Sequence, residues 1–197
     1  MGATGWQYYV PYQPDLTRVL DDLRRDVLAR GDYEEPGVEL DFLDEVGFFE
    51  ADEPTREEMM AEYTLEPLRR AIERFGMDGL RGWLESQQWS PDLRGPRPRT
   101  MEELEALRCF STSGTHSILD ISEVSPIRAD GAIYPLSGEL LVSLFGTDRP
   151  TRSMVEGWQE RDEPARYDLY ERWQGFYVTV YKDGQPYQIY IEGASGD

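Results

Sequence analysis

The chain's only cysteine, Cys109, and only histidine, His116, share the stretch 108–121, joined by small hydroxyl residues and one glycine. If Ser113-Gly114 turns a hairpin there, Ser111 faces His116 and Cys109 faces Ile118, with Cβ atoms about 4.5–5.5 Å apart. A hydroxyl beside an imidazole is the minimum for covalent catalysis, so Ser111 and His116 are the candidate catalytic pair. Asp120 shares that face by alternation. On an extended strand it lies about 13 Å from His116, at ~3.3 Å per residue, too far to orient the ring. Arg108 points to the face opposite Cys109, which leaves the thiol without a cation to favour its ionised form.

The triplet Ser111-Thr112-Ser113 resembles the Ser-Thr-Ser strand of ADP-ribosyltransferases, over three residues. The resemblance implies a transferring glutamate on an E-x-E or Q-x-E loop downstream. Glu160 and Asp162 come nearest, in a stretch that reads as helical. Arg94, Arg97 and Arg99 form the one concentrated basic site, in the Pro/Arg-rich loop 90–100. They are the candidate phosphate ligands if the chain acts on a nucleotide or phosphoester. No Gly-rich phosphate loop, dinucleotide fingerprint or paired-histidine metal motif is present. No cofactor and no metal are expected.

Charge is the strongest signal. The net charge is −19 over 197 residues. From Asp32 to Glu58, twelve carboxylates stand against one arginine, a local net of −11. Such a field repels nucleic-acid backbones and draws in basic surfaces. Apolar residues are threaded through this acidic segment, 32–58. Asp41, Phe42, Asp44, Glu45, Phe48 and Phe49 are therefore the candidate contacts for a basic protein partner. Direct nucleic-acid binding is not expected. No apolar run approaches a membrane span, and the N-terminus lacks the order of a signal peptide, which points to a cytoplasmic protein.

The elements that must position these residues follow from periodicity. Residues 6–12 alternate as a short strand, with Pro11 favouring an edge. Leu16, Val19, Leu20, Leu23 and Val27 recur at helical spacing after Pro14-Asp15, and Gly31 stops them. Val38, Leu40 and Phe42 alternate as a strand. Thr55-x-x-Glu58 and Thr100-x-x-Glu103 are capping boxes, the second opening a helix over 101–107. Ala132–Leu136 reads as a strand, Ser137 as the cap of a helix ending at Gly146, and Pro164–Trp173 as a last helix. Residues 176–192 form a hairpin about Asp183-Gly184. That turn pairs Val180 with Tyr187, Val178 with Ile189 and Phe176 with Ile191.

Together these predict a single α+β domain over residues 1–197. Its mostly antiparallel sheet holds residues 6–12, the central stretch, 132–136 and the C-terminal hairpin, with helices mainly on one face. The leading expectation is an acidic protein-binding module that occludes a basic partner, in the manner of an antitoxin or immunity protein. The alternative is a small enzyme using Ser111 and His116.

Overall fold

The computed structural model describes residues 3–34, 43–44, 47–62, 69, 72–73, 76–77, 79–81, 98–108, 114–161 and 168–196. Two compact units divide the chain. The first joins Met1–Tyr33 to Thr115–Asp197, and the second is the intervening Glu34–Gly114.

The first unit is built on a five-stranded sheet. Its strands are β1 (Ala3–Pro11), β2 (Glu123–Val124), β3 (Ala132–Pro135), β4 (Gln174–Lys182) and β5 (Gln185–Gly196), in the order β1-β5-β4-β3-β2. β5 pairs antiparallel with β1 and β4, whereas β3 pairs parallel with β4 and β2. The class is α+β, with a mixed and mostly antiparallel sheet. Parallel β3 and β4 need a crossover, and residues 136–173 supply it. That segment carries two helices, α4 (Gly138–Phe145) and α5 (Arg152–Gln159).

Local chemistry sets the helix ends. Helix α1 (Leu16–Arg30) starts where the Asp15 carboxylate accepts the Arg18 N–H at 3.1 Å. It stops where Gly31 turns left-handed, φ 70°, and returns its N–H to Val27 and Leu28. Val19, Leu20, Leu23 and Val27 are its buried stripe. Ser137 caps α4 through the Leu140 N–H, and Gly146, φ 76°, closes it. In the second unit, α2 (Glu53–Glu62) begins two residues before Thr55, because Asp52 is its cap and accepts the Thr55 N–H at 3.0 Å. Before α3 (Met101–Arg108) the expected box closes: Thr100 accepts the Glu103 N–H at 3.1 Å, and Glu103 accepts the N–H of Thr100 and of Arg99.

Three expectations are corrected. Asp183 and Gly184 make the hairpin turn with φ of 53° and 76°, but the pairing slips. Lys182 pairs with Gln185 and Tyr181 with Pro186, after which Val180 pairs with Gln188. Tyr187 is the extra residue of a bulge immediately after Pro186, whose missing N–H breaks the donor pattern. Val178 therefore lies opposite Tyr190, and Ile189 opposite Thr179. A one-residue slip moves a strand's side chains to the other face. Here both faces take them: Ile189, Tyr190, Ile191 and Glu192 are 0%, 0%, 0% and 1% exposed in succession.

Side chains pack on both faces of the sheet. Over one face Phe176, Val178, Val180 and Tyr190 pack with Leu136, Phe145, Val155 and Trp158 of the crossover. Trp158 sits edge-on to Phe145 and Phe176, at 5.6 and 6.1 Å between ring centroids. The other face carries Trp6, Ile133, Ile189 and Ile191. There the Tyr8 hydroxyl bonds to the backbone of Ile118 and lies in the field of Arg30 at the end of α1. Trp6 spreads its indole across Gly193 and Gly175. A Cβ on Gly193 would lie 2.4 Å from the ring, and one on Gly175 would lie 2.9 Å from it.

The second correction concerns the central stretch. Its described part, 114–121, is not a strand but a tight loop and a single 3-10 turn, Ile118–Asp120. The third concerns 164–173, whose described residues 168–173 form turns and a β-bridge rather than a helix.

Candidate functional site

Asp120 organises the described part of the central stretch. Its carboxylate, 2% exposed, accepts the Thr115 N–H on both oxygens at 2.8 and 3.0 Å, and the Thr115 hydroxyl at 2.9 Å. The Thr115 and Ser117 hydroxyls lie 2.8 Å apart, and Ser117 accepts the Leu119 N–H as the cap of the 3-10 turn. Short polar side chains bonding their own backbone compete with strand formation, and here they win. His116 is carried on this loop in the left-handed region, φ 52°, and is half-buried. The 13 Å strand separation between His116 and Asp120 no longer holds, because a turn and not a strand connects them.

The hairpin that would set Ser111 against His116 is not continued by the described residues on the histidine side. Ser111, with Cys109, Thr112 and Ser113, lies outside the described residues. So do Arg94, Arg97 and Asp162, while Glu160 ends α5 on the surface. Arg99 is exposed, and its backbone N–H is committed to the Glu103 carboxylate at 2.6 Å. Of the candidate catalytic pair only His116, and of the candidate phosphate ligands only Arg99, lie among the described residues.

In the acidic segment, Asp41, Phe42 and Glu45 lie outside the described residues, as does the expected strand over 38–42. Leu43 and Asp44 are helical. Gly47, φ 69°, reverses the chain so that the Phe48 N–H reaches the Leu43 carbonyl at 2.9 Å. That reversal turns Phe48 inward to 1% exposure and leaves Phe49 half-buried, edge-on to it at 5.7 Å. Arg81 joins the two kinds of residue, since its guanidinium pairs with Asp44 and lies 4.6 Å from the centroid of the Phe49 ring. Arg69 pairs similarly with Glu57 at 2.7 Å. Asp52 is held below the usual carboxylate range, chiefly by the Thr55 hydroxyl and then by its N–H.

A second polar cluster is invisible to sequence periodicity. The Glu192 carboxylate, 1% exposed, accepts the hydroxyls of Tyr190 and, at 2.8 Å, Tyr170. Gln159 donates to the Tyr190 oxygen at 2.8 Å and to the side-chain amide oxygen of Gln7, and accepts the Tyr9 hydroxyl at 3.2 Å. Burial, and then the nearby Glu156, push the Tyr9 phenol up to about 12, although Arg152 sits 4.4 Å over its ring. The bulge after Pro186 assembles this cluster by swinging Tyr190 and Glu192 onto one face. With both carboxylate oxygens bonded to phenols, Glu192 is a structural hub that ties β5 to Tyr170 ahead of β4, and Gln159 of α5 extends the network from Tyr190 to Gln7 and Tyr9 of β1.

Among the described residues no three His, Cys, Asp or Glu side chains gather as metal ligands. No helix among them is long and apolar enough to cross a membrane. Comparison with known proteins finds no family model, no curated protein and no solved structure that matches this chain.

Proposed function

We propose that this chain is an acidic protein-binding module of the cytoplasm that captures and occludes a basic partner, in the manner of an antitoxin or immunity protein. The observation that carries this reading is exposure: every described carboxylate between residues 32 and 58 lies at the surface. Asp44 and Glu57 keep 41% and 52% of their side chains in solvent even while paired with Arg81 and Arg69. A surface of this sign speeds encounter with a cationic protein and repels phosphate backbones. Phe49, half-buried and flanked by Asp44 through Arg81, is the described aromatic best placed to add apolar contact to that charge. Buried Phe48 supports the segment from beneath.

The test begins with capture of partners from the native host and identification by mass spectrometry. Association kinetics of the captured protein then follow at two salt concentrations. Neutralising Asp41, Asp44 and Glu45 to Asn, Asn and Gln should slow association about tenfold at low salt and flatten its salt dependence. Association unchanged by these substitutions, in a folded variant, would remove the basis of the proposal.

A further inference from the structure

The sheet of the first unit ends in two edges of different character. β2 is two residues long and begins on Glu123, and brevity and charge are the usual guards against strand addition. β1 runs nine residues with no charged side chain, in a chain where 30% of residues are charged. Its pairing with β5 holds one register from Ala3 to Pro11, so no bulge blunts it.

One bond fixes the phase of that ladder. The Tyr12 N–H donates to the Tyr187 carbonyl at 3.1 Å, in continuation of the β1–β5 register. Backbone groups alternate sides along an antiparallel strand. Thr4, Trp6, Tyr8 and Val10 therefore bond to β5, while Gly5, Gln7 and Tyr9 turn their N–H and C=O outward. Pro11 falls in the outward set, where its missing N–H removes no ladder bond. Among the described residues, no backbone hydrogen bond meets these outward groups.

We infer that this edge binds the same strand of a second copy of the chain, antiparallel, about a two-fold axis at Gln7. Gln7 then meets the partner's Gln7, and Gly5 meets the partner's Tyr9, so that three residue pairs exchange backbone bonds. Trp6 falls opposite the partner's Tyr8, placing aromatic against aromatic, and Gly5 leaves room for the tyrosine ring across from it. An uncharged strand lets two chains of net charge −19 meet without setting carboxylates against each other. A strongly charged partner strand would find no complement here, which favours the second copy as occupant. The arrangement uses up the long edge and leaves the short, acidic β2 edges outside, so the assembly closes as a dimer. It stands independently of the basic-partner proposal.

The test is sedimentation velocity of the full chain over a concentration series, with hydrogen exchange followed residue by residue at both ends of the series. The expected result is a reversible dimer in which the Gly5, Gln7 and Tyr9 amides exchange about tenfold or more slowly at high concentration. Gly5→Lys puts a charge on the edge. Its Cβ would meet nothing closer than the Gly193 carbonyl at 3.8 Å, so the monomer should keep its unfolding midpoint while the dimer is lost. A monomer at every concentration overturns the inference. So does a dimer whose β1 amides exchange at the monomer rate, or a Gly5→Lys variant that dimerises like the wild type.

Discussion

Replacing Gly193 with alanine tests the packing that anchors β1 to the sheet. The added methyl would sit 2.4 Å from two ring carbons of Trp6 and 2.5 Å from the Gln174 carbonyl oxygen. Carbon–carbon contacts are most favourable at about 3.5–4.0 Å, so the indole has to retreat by roughly 1 Å. Its escape is restricted, because Trp6 is 6% exposed and the same ring also covers Gly175. The Gln174 oxygen belongs to the backbone of β4 and cannot move without disturbing the β4–β5 pairing. Overpacking alone costs about 1–3 kcal/mol, and the backbone collision adds to it, so Gly193→Ala should cost about 3 kcal/mol or more. Gly5→Ala is the matched control: it lies on the same strand as Trp6, its Cβ would make only ordinary contact, and its stability should stay within about 0.5–1 kcal/mol of wild type. Urea unfolding followed by tryptophan fluorescence gives both the free energy and the slope. Trp6→Leu combined with Gly193→Ala should cost less than the sum of the single changes, by about 1 kcal/mol or more. A Gly193→Ala variant within about 0.5 kcal/mol of wild type, or additivity in the double variant, would refute the packing argument.

Phe48→Ala should destabilise by about 3–5 kcal/mol through lost burial and a cavity, measured by urea unfolding; a loss below about 1 kcal/mol would mean that Phe48 does not anchor the acidic segment. Asp120→Ala should cost about 2–4 kcal/mol by leaving the buried Thr115 N–H and hydroxyl without their acceptor, and Asp120→Asn less, with calorimetry or denaturant titration showing whether that order holds. At high pH, Tyr9 keeps its proton to about 12 in the folded chain, against about 10 when unfolded. Burial raises Tyr8, Tyr134 and Tyr177 in the same direction. The stabilisation from Tyr9 is therefore fully present below about pH 10 and is lost as pH rises toward 12, and the other three act in the same sense. Tyrosinate absorbance and the urea midpoint, followed together, should show late titration coupled to falling stability; phenols that titrate near 10 with a flat midpoint would contradict it.

The legible parts of the fold were those written in local chemistry. Asp15 and Gly31 bracket α1, Ser137 and Gly146 bracket α4, Thr100 and Glu103 close their box, and Asp183-Gly184 makes the hairpin turn. Alternation failed where it had nothing to distinguish. Ile189, Tyr190 and Ile191 are all buried, so a pattern of inside and outside cannot reveal that Tyr187 shifts the register. The stretch 115–120 alternates convincingly on paper, yet Asp120 reaches back to Thr115 and folds it into a turn, a competition that side-chain periodicity does not register. Of the candidate sites, the exposure of the described carboxylates in the acidic segment accords with their charge, whereas the burial of Phe48 depends on the reversal at Gly47. The Glu192 cluster needs the bulge before its members meet, and no spacing rule encodes that.

The second unit leaves the first after Tyr33 and the chain returns at Thr115. Those two points are neighbours within the first unit: α1 packs on the 3-10 turn, and Tyr8 bonds to Ile118 while sensing Arg30, Asp32 and Asp120. The chain's exit and re-entry thus form a narrow doorway. Loop-closure entropy grows only as the logarithm of loop length, so what passes through that doorway can change in size at little thermodynamic expense to the sheet. In genetic terms the segment between them is a cassette. A gene could lengthen it, shorten it or replace it while the two-faced sheet, the Trp6 slot and the Glu192 hub are inherited unchanged. The part of the protein that carries most of its excess charge is then the part freest to diversify.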